Sequence, residues 1–160
     1  MAVEIERKFL VDMIQWEALN KPAGTVFKQG YIYSDEKRTV RIRVTDKAAY
    51  LTLKGSTTGI SRSEFEYTIP IEDGNEILST LTVSAIEKVR YEINYAGKLW
   101  EVDVFSGDNQ GLIIAEIELE SEEENFDKPE WVLAEVSDDS RYSNASLSVT
   151  PYQHWDSAGL

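Results

Sequence analysis

Eight short segments of the chain alternate between apolar and polar residues with a period of two, which is typical of β-strands with one covered face. In the first segment Glu4, Glu6 and Lys8 fall on one side of the strand, and Val3 and Ile5 fall on the other. The segments are rich in Val, Ile, Tyr and Phe and lie at residues 2–10, 27–33, 38–46, 49–54, 62–70, 86–95, 99–105 and 112–120. Short links between segments predict antiparallel hairpins, and eight strands are about the number that closes a small barrel. We therefore expect a mainly β (α+β) fold, a closed eight-stranded antiparallel β-barrel with a few flanking helices.

A few other stretches have helical spacing. In residues 12–20, Met13, Trp16 and Leu19 share one face, and Asp12 is the expected N-cap. The other predicted helices are 72–83, 121–135, which begins Ser-Glu-Glu-Glu but is interrupted by Pro129, and 143–149. We see no second domain and expect one domain over residues 1–150, followed by a C-terminal tail over residues 151–160 without a clear pattern.

The charges on the alternating segments are segregated by sign. Some segments present only acids on one side and others only bases: Glu4/Glu6, Glu116/Glu118/Glu120, Arg41/Arg43 and Lys88/Arg90. For a single strand the ordinary expectation is that apolar residues face the core and charges face solvent. Same-sign neighbours repel, however, and an open surface gives no reason to repeat them. A shared cavity does, because acids there can hold divalent metals while bases hold phosphate oxygens.

The segregation therefore favours an inverted barrel, in which charged side chains line the inside. Such an interior would be costly if dry, so we expect a tunnel filled by water or ligand. The outward apolar residues then need cover, which the amphipathic helices together with Trp16, Trp131 and Leu133 can supply in part.

Composition narrows the function classes. The chain has 160 residues and a formal net charge of −13, from 29 acidic and 16 basic residues. Such a surface repels nucleic acid and anionic membranes unless its cations are concentrated in one place. The absence of cysteine excludes disulfides and thiolate metal sites. No apolar stretch approaches the ~18 residues of a membrane span, and no secretory signal pattern is present. We expect a cytoplasmic protein that binds neither nucleic acid nor membrane.

An ordered series of motifs resembles the CYTH superfamily, the triphosphate tunnel metalloenzymes. The first is Glu4-Ile5-Glu6-Arg7-Lys8, which matches the Glu-x-Glu-x-Lys signature of that family. The others, in chain order, are Gln29-Gly30-Tyr31, Val40-Arg41-Ile42-Arg43, Leu51-Thr52-Leu53-Lys54, Ser61-Arg62-Ser63-Glu64-Phe65-Glu66, Glu87-Lys88-Val89-Arg90, Glu101-Val102-Asp103-Val104-Phe105, Ala115-Glu116-Ile117-Glu118 and Arg141-Tyr142-Ser143-Asn144. The resemblance covers residues 2–149.

The resemblance implies a tunnel that binds a triphosphate and hydrolyses it with Mg²⁺ or Mn²⁺. Within the family the chain is most similar to the bacterial inorganic triphosphatases. We therefore expect a metal-dependent triphosphatase that removes the terminal phosphate, with inorganic tripolyphosphate as the leading substrate. A small-molecule triphosphate is the expected partner, and the protein is expected to be a monomer or a homodimer.

On this interpretation the charged residues divide into four groups. Triphosphate carries about four negative charges near neutral pH, so its binding needs several cations and a metal. The candidate metal ligands are Glu4, Glu6, Asp103, Glu116 and Glu118. The candidate phosphate-binding residues are Lys8, Arg41, Arg43, Lys54, Arg62, Lys88, Arg90 and Arg141. Glu64 and Glu66 are expected to support these cations, and Glu101 and Glu120 to be scaffold.

The attacking water can be activated in two ways. Lys88, with Tyr31, is the candidate catalytic residue that positions or deprotonates the water, provided that its neighbours lower its pKa. Activation by two metals is the alternative. The only histidine, His154, lies in the tail, which excludes histidine-centred catalysis, and no Gly-rich phosphate loop is present.

Other functions compatible with the pattern are a class IV-type adenylate cyclase, a thiamine or nucleoside triphosphatase, and a non-catalytic polyphosphate-binding module. A lipocalin-like carrier is disfavoured, because such barrels need an apolar interior.

Overall fold

The computed structural model describes residues 2–155. Within that range the strands are β1 (Val3–Val11), β2 (Thr25–Ser34), β3 (Arg38–Val44), β4 (Ala49–Thr58), β5 (Ser61–Ile69), β6 (Ser84–Tyr95), β7 (Lys98–Phe105), β8 (Ile113–Glu118) and β9 (Val132–Glu135). The α-helices are α1 (Met13–Ala18), α2 (Ile71–Thr80) and α3 (Asn144–Val149). Single turns of 3₁₀ helix occur at Gly107–Asn109, Ser140–Tyr142 and Tyr152–His154.

The strands β1 to β8 form one closed antiparallel barrel in the order β5-β4-β3-β2-β6-β7-β8-β1, and β1 returns to β5. Closure rests on a short stretch, in which Val3, Glu4 and Ile5 pair with Ser63, Arg62 and Ser61. Further along β1, the same edge pairs instead with β9. The predicted eight-stranded barrel is therefore confirmed, with one additional strand beside it.

The main apolar core lies outside the barrel, against β1, β7 and β8. Phe9 and Trp100 point outward from their strands, and their rings lie 5.6 Å apart. Trp16 of α1 and Trp131 pack over them, with 5.7 Å between the centres of their rings. Asp12 caps α1 by accepting a hydrogen bond from the backbone of Gln15 at 3.0 Å, as the sequence predicts. These elements supply the outer cover that an inverted barrel requires.

Helix α2 covers the outer face of β2, β3 and β4 at very short range. A Cβ atom at Gly74 would lie 2.5 Å from the Cβ atom of Ala49, and one at Gly30 would lie 2.6 Å from Thr82. Glycine is therefore required at both positions for the helix to approach the sheet. The close packing buries Ile42 completely beneath the helix.

Apolar residues from the C-terminal segment fill one end of the barrel. Leu147 of α3 is fully buried against Ile86, Phe105 and Ile114. The Trp155 ring lies 5.1 Å from the Tyr142 ring and joins the same cluster. Residues 151–155 of the predicted tail thus pack against the barrel, while residues 156–160 lie outside the described range.

The predicted helix over residues 121–135 is wrong. Residues 121–131 form turns and extended chain, and Val132–Glu135 form β9. Pro129 has no N–H to donate to a helix, and the free edge of β1 offers backbone partners to this segment instead.

Within residues 2–155, no helix combines the length and apolarity that crossing a membrane would require.

Candidate active site

The alternating charged side chains face the inside of the barrel. Lys54 on β4 reaches Glu4 on β1 at 3.0 Å, although β5 lies between these strands. Arg90 on β6 likewise reaches Glu116 on β8 at 3.0 Å, across β7. Contacts of this kind between non-neighbouring strands are possible only through the interior. The charged side chains of these strands therefore share the interior of the barrel.

One part of this group is a dense network on β6, β7 and β8, which we name the paired network: Lys88, Arg90, Asp103 and Glu116. The Lys88 ammonium donates to Asp103 Oδ2 at 2.7 Å. The Arg90 guanidinium donates to both Asp103 oxygens at 2.7 and 2.9 Å, and to Glu116. Lys88 and Asp103 are both 0% exposed, so these charges are stable only because they neutralise one another.

Burial and neighbours shift the pKa values of the paired network in different directions. Burial, followed by the repulsion from Arg90, lowers the pKa of Lys88 to about 7 despite the attraction of Asp103. Burial alone would raise the pKa of Asp103, but Arg90 and Lys88 together hold it well below its usual value. The network therefore contains a permanently ionised carboxylate beside a lysine that can lose its proton near neutral pH.

Three further cations of the tunnel have carboxylate partners. Lys8 lies 3.6 Å from Glu116, and Lys54 lies 3.3 Å from Glu64 in addition to Glu4. Arg41 lies 3.4 Å from Glu66. The predicted supporting residues Glu64 and Glu66 are thus beside the cations for which they were proposed.

Arg41 also has an unsatisfied donor. Its Nη2 atom donates to the Thr52 hydroxyl at 3.1 Å and to Glu66. Its Nε atom is buried and has no hydrogen-bond partner within residues 2–155. A buried N–H without a partner carries a substantial desolvation penalty, which an anionic ligand oxygen would remove.

Two acids in the tunnel contrast with these pairs. The side-chain carboxylates of Glu6 and Glu118 have neither an ion-pair nor a hydrogen-bond partner within the described chain. Glu6 on β1 and Glu118 on β8 are directly opposite each other in the strand register. Burial raises the pKa of Glu6 to about 8, with repulsion from Glu116 and Glu4 acting in the same direction. Burial, then Glu4 and Glu101, also raise the pKa of Glu118. The two carboxylates are a local excess of negative charge that forms no ion pair within residues 2–155.

This excess charge fits a divalent cation. Carboxylate oxygens are the ligands that Mg²⁺ and Mn²⁺ prefer, and a cation beside Glu6 and Glu118 would remove their mutual repulsion. Within residues 2–155, no three Asp, Glu or His side chains are already gathered as a complete metal site. Because Mg²⁺ keeps several waters and takes oxygens from its substrate, it needs only one or two protein carboxylates.

Other predicted site residues lie in different surroundings. Asp103, expected as a metal ligand, has both oxygens occupied by Lys88 and Arg90 and is an ion-pair partner in this structure. Arg62 donates to the backbone oxygen of Gly55 at 2.6 and 2.9 Å. Tyr31 is buried in the tunnel wall and accepts a hydrogen bond from Gln29 at 3.3 Å, rather than one from Lys88.

The structure does not bring Arg141 to the tunnel. Its guanidinium is captured by Asp139, two residues earlier, at 2.7 Å, and packs 4.7 Å from the centre of the Trp155 ring. The side chain is 48% exposed. A local acid and an aromatic surface hold Arg141 outside the tunnel in this structure, and its role in phosphate binding stays a prediction.

Three residues without a role in the sequence analysis also belong to the tunnel. Phe27 and Gln29 lie on β2, where the Phe27 ring and the Gln29 side-chain oxygen both contact the guanidinium of Arg43. Asn144, the first residue of α3, accepts a hydrogen bond from Lys88 at 2.9 Å and so links the C-terminal segment to the paired network. The period-two pattern through Tyr31 placed Phe27 and Gln29 on the inner face, but neither side chain carries a charge that would mark it.

Comparisons with known proteins agree with this geometry. A family model described as the CYTH domain matches residues 2–152. The chain is 47% identical to an inorganic triphosphatase of Acetivibrio thermocellus over 97% of this chain and 99% of the relative. It is 33% identical to an inorganic triphosphatase of Nitrosomonas europaea over 92% of this chain and 97% of the relative.

A solved structure described as an inorganic triphosphatase has the same fold. It superposes with a TM-score of 0.65 at 30% identity and covers 93% of this chain and 96% of that chain. Triphosphatases of this kind generally depend on a divalent metal. The family match spans almost every described residue, and the two relatives align nearly from end to end, so the chain belongs to the CYTH family.

Proposed function

We propose that this protein hydrolyses inorganic triphosphate to pyrophosphate and orthophosphate in its tunnel, with Mg²⁺ or Mn²⁺. The observation that carries the proposal is the coexistence of unneutralised acids and unsatisfied cationic donors within one closed barrel. Within residues 2–155 the carboxylates of Glu6 and Glu118 form no ion pair, and the buried Nε atom of Arg41 has no hydrogen-bond acceptor. A metal–triphosphate complex supplies both missing partners at once.

The cationic side chains bind and orient the triphosphate. Arg41 and Arg43 can present two donors each to phosphate oxygens, whereas Lys8 and Lys54 act as point charges. Arg90 contributes its positive charge, since Asp103, Glu101 and Glu116 already accept hydrogen bonds from its guanidinium. Glu4, Glu6, Glu116 and Glu118 would hold the metal, which would supply positive charge to offset the negative charge that develops during phosphoryl transfer. Glu64 and Glu66 keep Lys54 and Arg41 extended toward the tunnel.

Lys88 is the proposed acceptor of a proton from the attacking water. Its pKa of about 7, set mainly by burial, gives a substantial fraction of neutral amine near neutral pH. The water oxygen forms a bond to the terminal phosphorus, and its proton goes to Lys88 Nζ. The bond from that phosphorus to the bridging oxygen breaks, and its electron pair leaves with pyrophosphate. Asp103 and Asn144 hold Lys88 in place during this step.

A substrate panel tests the proposal. The purified protein is incubated with tripolyphosphate, ATP or thiamine triphosphate, each with Mg²⁺, Mn²⁺ or excess chelator, and the products are separated by anion-exchange chromatography. We expect orthophosphate and pyrophosphate from tripolyphosphate with either metal, and no turnover with chelator. Cyclic AMP from ATP would identify a cyclase instead, and absence of turnover of every triphosphate would refute the proposal.

The cellular setting follows from the same features. We place the protein in the cytoplasm, as a monomer or homodimer that binds neither nucleic acid nor membrane. The net charge of −13 opposes binding to other polyanions, while nine of the 16 basic residues lie in the motifs that match the family. Small triphosphates that fit inside the barrel are thereby favoured over nucleic acid outside it.

A further inference from the structure

Arg43 differs from most other cations of the tunnel, because no carboxylate lies within 4.0 Å of it in the described chain. Lys8, Arg41, Lys54, Lys88 and Arg90 each form at least one ion pair. Arg62 also lacks a carboxylate, but a backbone oxygen occupies its guanidinium. Arg43 is therefore a half-buried positive charge that forms no ion pair within residues 2–155.

Neutral side chains hold Arg43 instead. Its Nε atom donates to Gln29 Oε1 at 2.7 Å, and Gln29 is 0% exposed. The amide nitrogen of Gln29 donates in turn to the Tyr31 hydroxyl at 3.3 Å, which fixes the orientation of the amide. The two terminal nitrogens of Arg43 make no hydrogen bond within residues 2–155.

The second neutral neighbour is the ring of Phe27. The Arg43 guanidinium lies 4.8 Å from the ring centre, the Arg90 guanidinium 5.0 Å and the Lys88 ammonium 5.9 Å. One aromatic ring thus contacts three cations that repel one another. A π-face attracts each of them without forming an ion pair, so it lowers the cost of gathering them.

A neutral support has a clear advantage for an anion-binding arginine. A carboxylate at position 29 would hold Arg43 equally well, but it would also neutralise the charge and compete with the phosphate oxygens of the substrate. A glutamine fixes the guanidinium through Nε and leaves the charge and the terminal donors available. The side chains of β2 that face the tunnel, Phe27, Gln29 and Tyr31, are all uncharged, so the strand forms a neutral wall behind Arg43.

We propose that Gln29 and Phe27 are positioning residues, which aim Arg43 at a phosphate oxygen while leaving its charge unneutralised. The proposal rests on the proposed function, since it identifies how one cation is prepared for the triphosphate. It predicts that adding a negative charge at position 29 weakens substrate binding without weakening the fold.

The first test is Gln29→Glu, with Gln15→Glu as the matched control. Gln15 is exposed on α1, so the control adds the same charge away from the tunnel. Tripolyphosphate affinity is measured as KM with Mg²⁺ and as Kd by calorimetry in chelator, and thermal stability is measured without substrate. We expect Gln29→Glu to raise KM and Kd by about 10- to 100-fold, the range for loss of one charge-assisted contact, with an unchanged or higher melting temperature.

The outcomes separate this proposal from the proposed function. Unchanged KM and Kd in Gln29→Glu would overturn the positioning role, as would a loss of affinity that only accompanies a lower melting temperature. Wild-type protein that binds tripolyphosphate but never hydrolyses it would refute the triphosphatase and leave the positioning role to be judged by Kd. Wild-type protein that neither binds nor hydrolyses it would refute both.

The second test replaces Phe27 with phenylalanine analogues carrying one, two, three and five fluorine atoms. Each added fluorine weakens the negative potential of the ring face while changing its volume little. We expect Kd for tripolyphosphate to rise stepwise along the series, with unchanged melting temperatures. A flat series would show that only the volume of Phe27 matters and would overturn its positioning role.

Discussion

Two regions of the tunnel differ in whether their charged side chains form ion pairs. In the paired network on β6, β7 and β8, Lys88 and Arg90 are held by Asp103 at 2.7 Å. The carboxylates of Glu6 and Glu118, opposite each other on β1 and β8, form no ion pair within residues 2–155. The four residues of the paired network are buried, whereas Glu6 is half-buried and Glu118 is exposed, so the two regions differ in exposure as well as in neutralisation.

The contrast separates charges that the fold holds in place before a ligand binds from charges that have no ion-pair partner until one binds. A complete ion network keeps its geometry without a ligand, because every charge already has a partner. Charges without a partner raise the free energy of the empty tunnel, and a bound ligand of the opposite sign removes that electrostatic cost. Glu6 and Glu118 are therefore set up for a cation, and Arg43 for an anion.

Removal of an unneutralised acid should abolish activity while sparing the fold. Glu6→Gln keeps the shape of the side chain but takes away the charge that holds the metal, so kcat for tripolyphosphate should fall by about a thousandfold. The melting temperature in chelator should stay the same or rise, since a repulsive charge has been removed. The exposed Glu120→Gln is the matched control and should keep full activity. Turnover by Glu6→Gln within tenfold of wild type would contradict its role in metal binding.

Removal of an acid that is already paired should instead lower the free energy of unfolding. Asp103→Asn leaves Lys88 and Arg90 buried without their main carboxylate, and breaking such a pair costs about 3–5 kcal/mol. Urea denaturation followed by circular dichroism measures the loss. The double variant Asp103→Asn with Lys88→Met should recover part of the stability, because one of the stranded cations is gone. If Asp103→Asn unfolds at the wild-type urea concentration, the paired network is not a scaffold.

The alternation of residues was sufficient to predict the barrel and most of its interior. Spacing alone places Glu4, Glu6 and Lys8 on one face, and the segregation of sign between strands indicates that this face is the inside. Strand β9 was missed, because its four residues have little pattern of their own and it forms by pairing with β1, far away in the sequence. Arg141 has the residue type that phosphate binding requires, and only the structure reveals the local acid that pairs with it.

The pairing of individual carboxylates and cations could not be predicted from the sequence. Which carboxylate meets which cation depends on contacts across the interior between strands that are not neighbours, such as Lys54 with Glu4. The neutral residues were equally hard to find, since Phe27 reads as an ordinary core residue of a strand. Its contact with three cations emerges only once β2, β3 and β6 are placed side by side.

The same contrast predicts a pH dependence of stability without metal. The pKa of Glu6 is about 8 in the folded protein and near 4.5 when it is free of its surroundings. Between these values the folded state binds a proton that the unfolded state has released, so stability falls as pH rises through this window. The melting temperature in chelator should therefore fall more for wild type than for Glu6→Gln between pH 5 and pH 9, where the difference between the two proteins isolates this group. Parallel curves would show that Glu6 is not strained, and excess Mg²⁺ should reduce the difference.

The smallest effect is expected where the alternation turns a charge outward. Arg7 lies between Glu6 and Lys8, but its guanidinium pairs with Glu135 of β9 at 2.8 Å on the outside of the barrel. Both partners of this pair are partly exposed, so Arg7→Met should lower the free energy of unfolding by about 1 kcal/mol or less and leave kcat/KM within about twofold of wild type. Lys8→Met is the matched variant, one position away and facing the tunnel, and it should raise KM for tripolyphosphate by about 10-fold or more. Equal losses of activity in the two variants would mean that strand alternation does not separate the inside of this barrel from the outside, and the division between the two faces would fail.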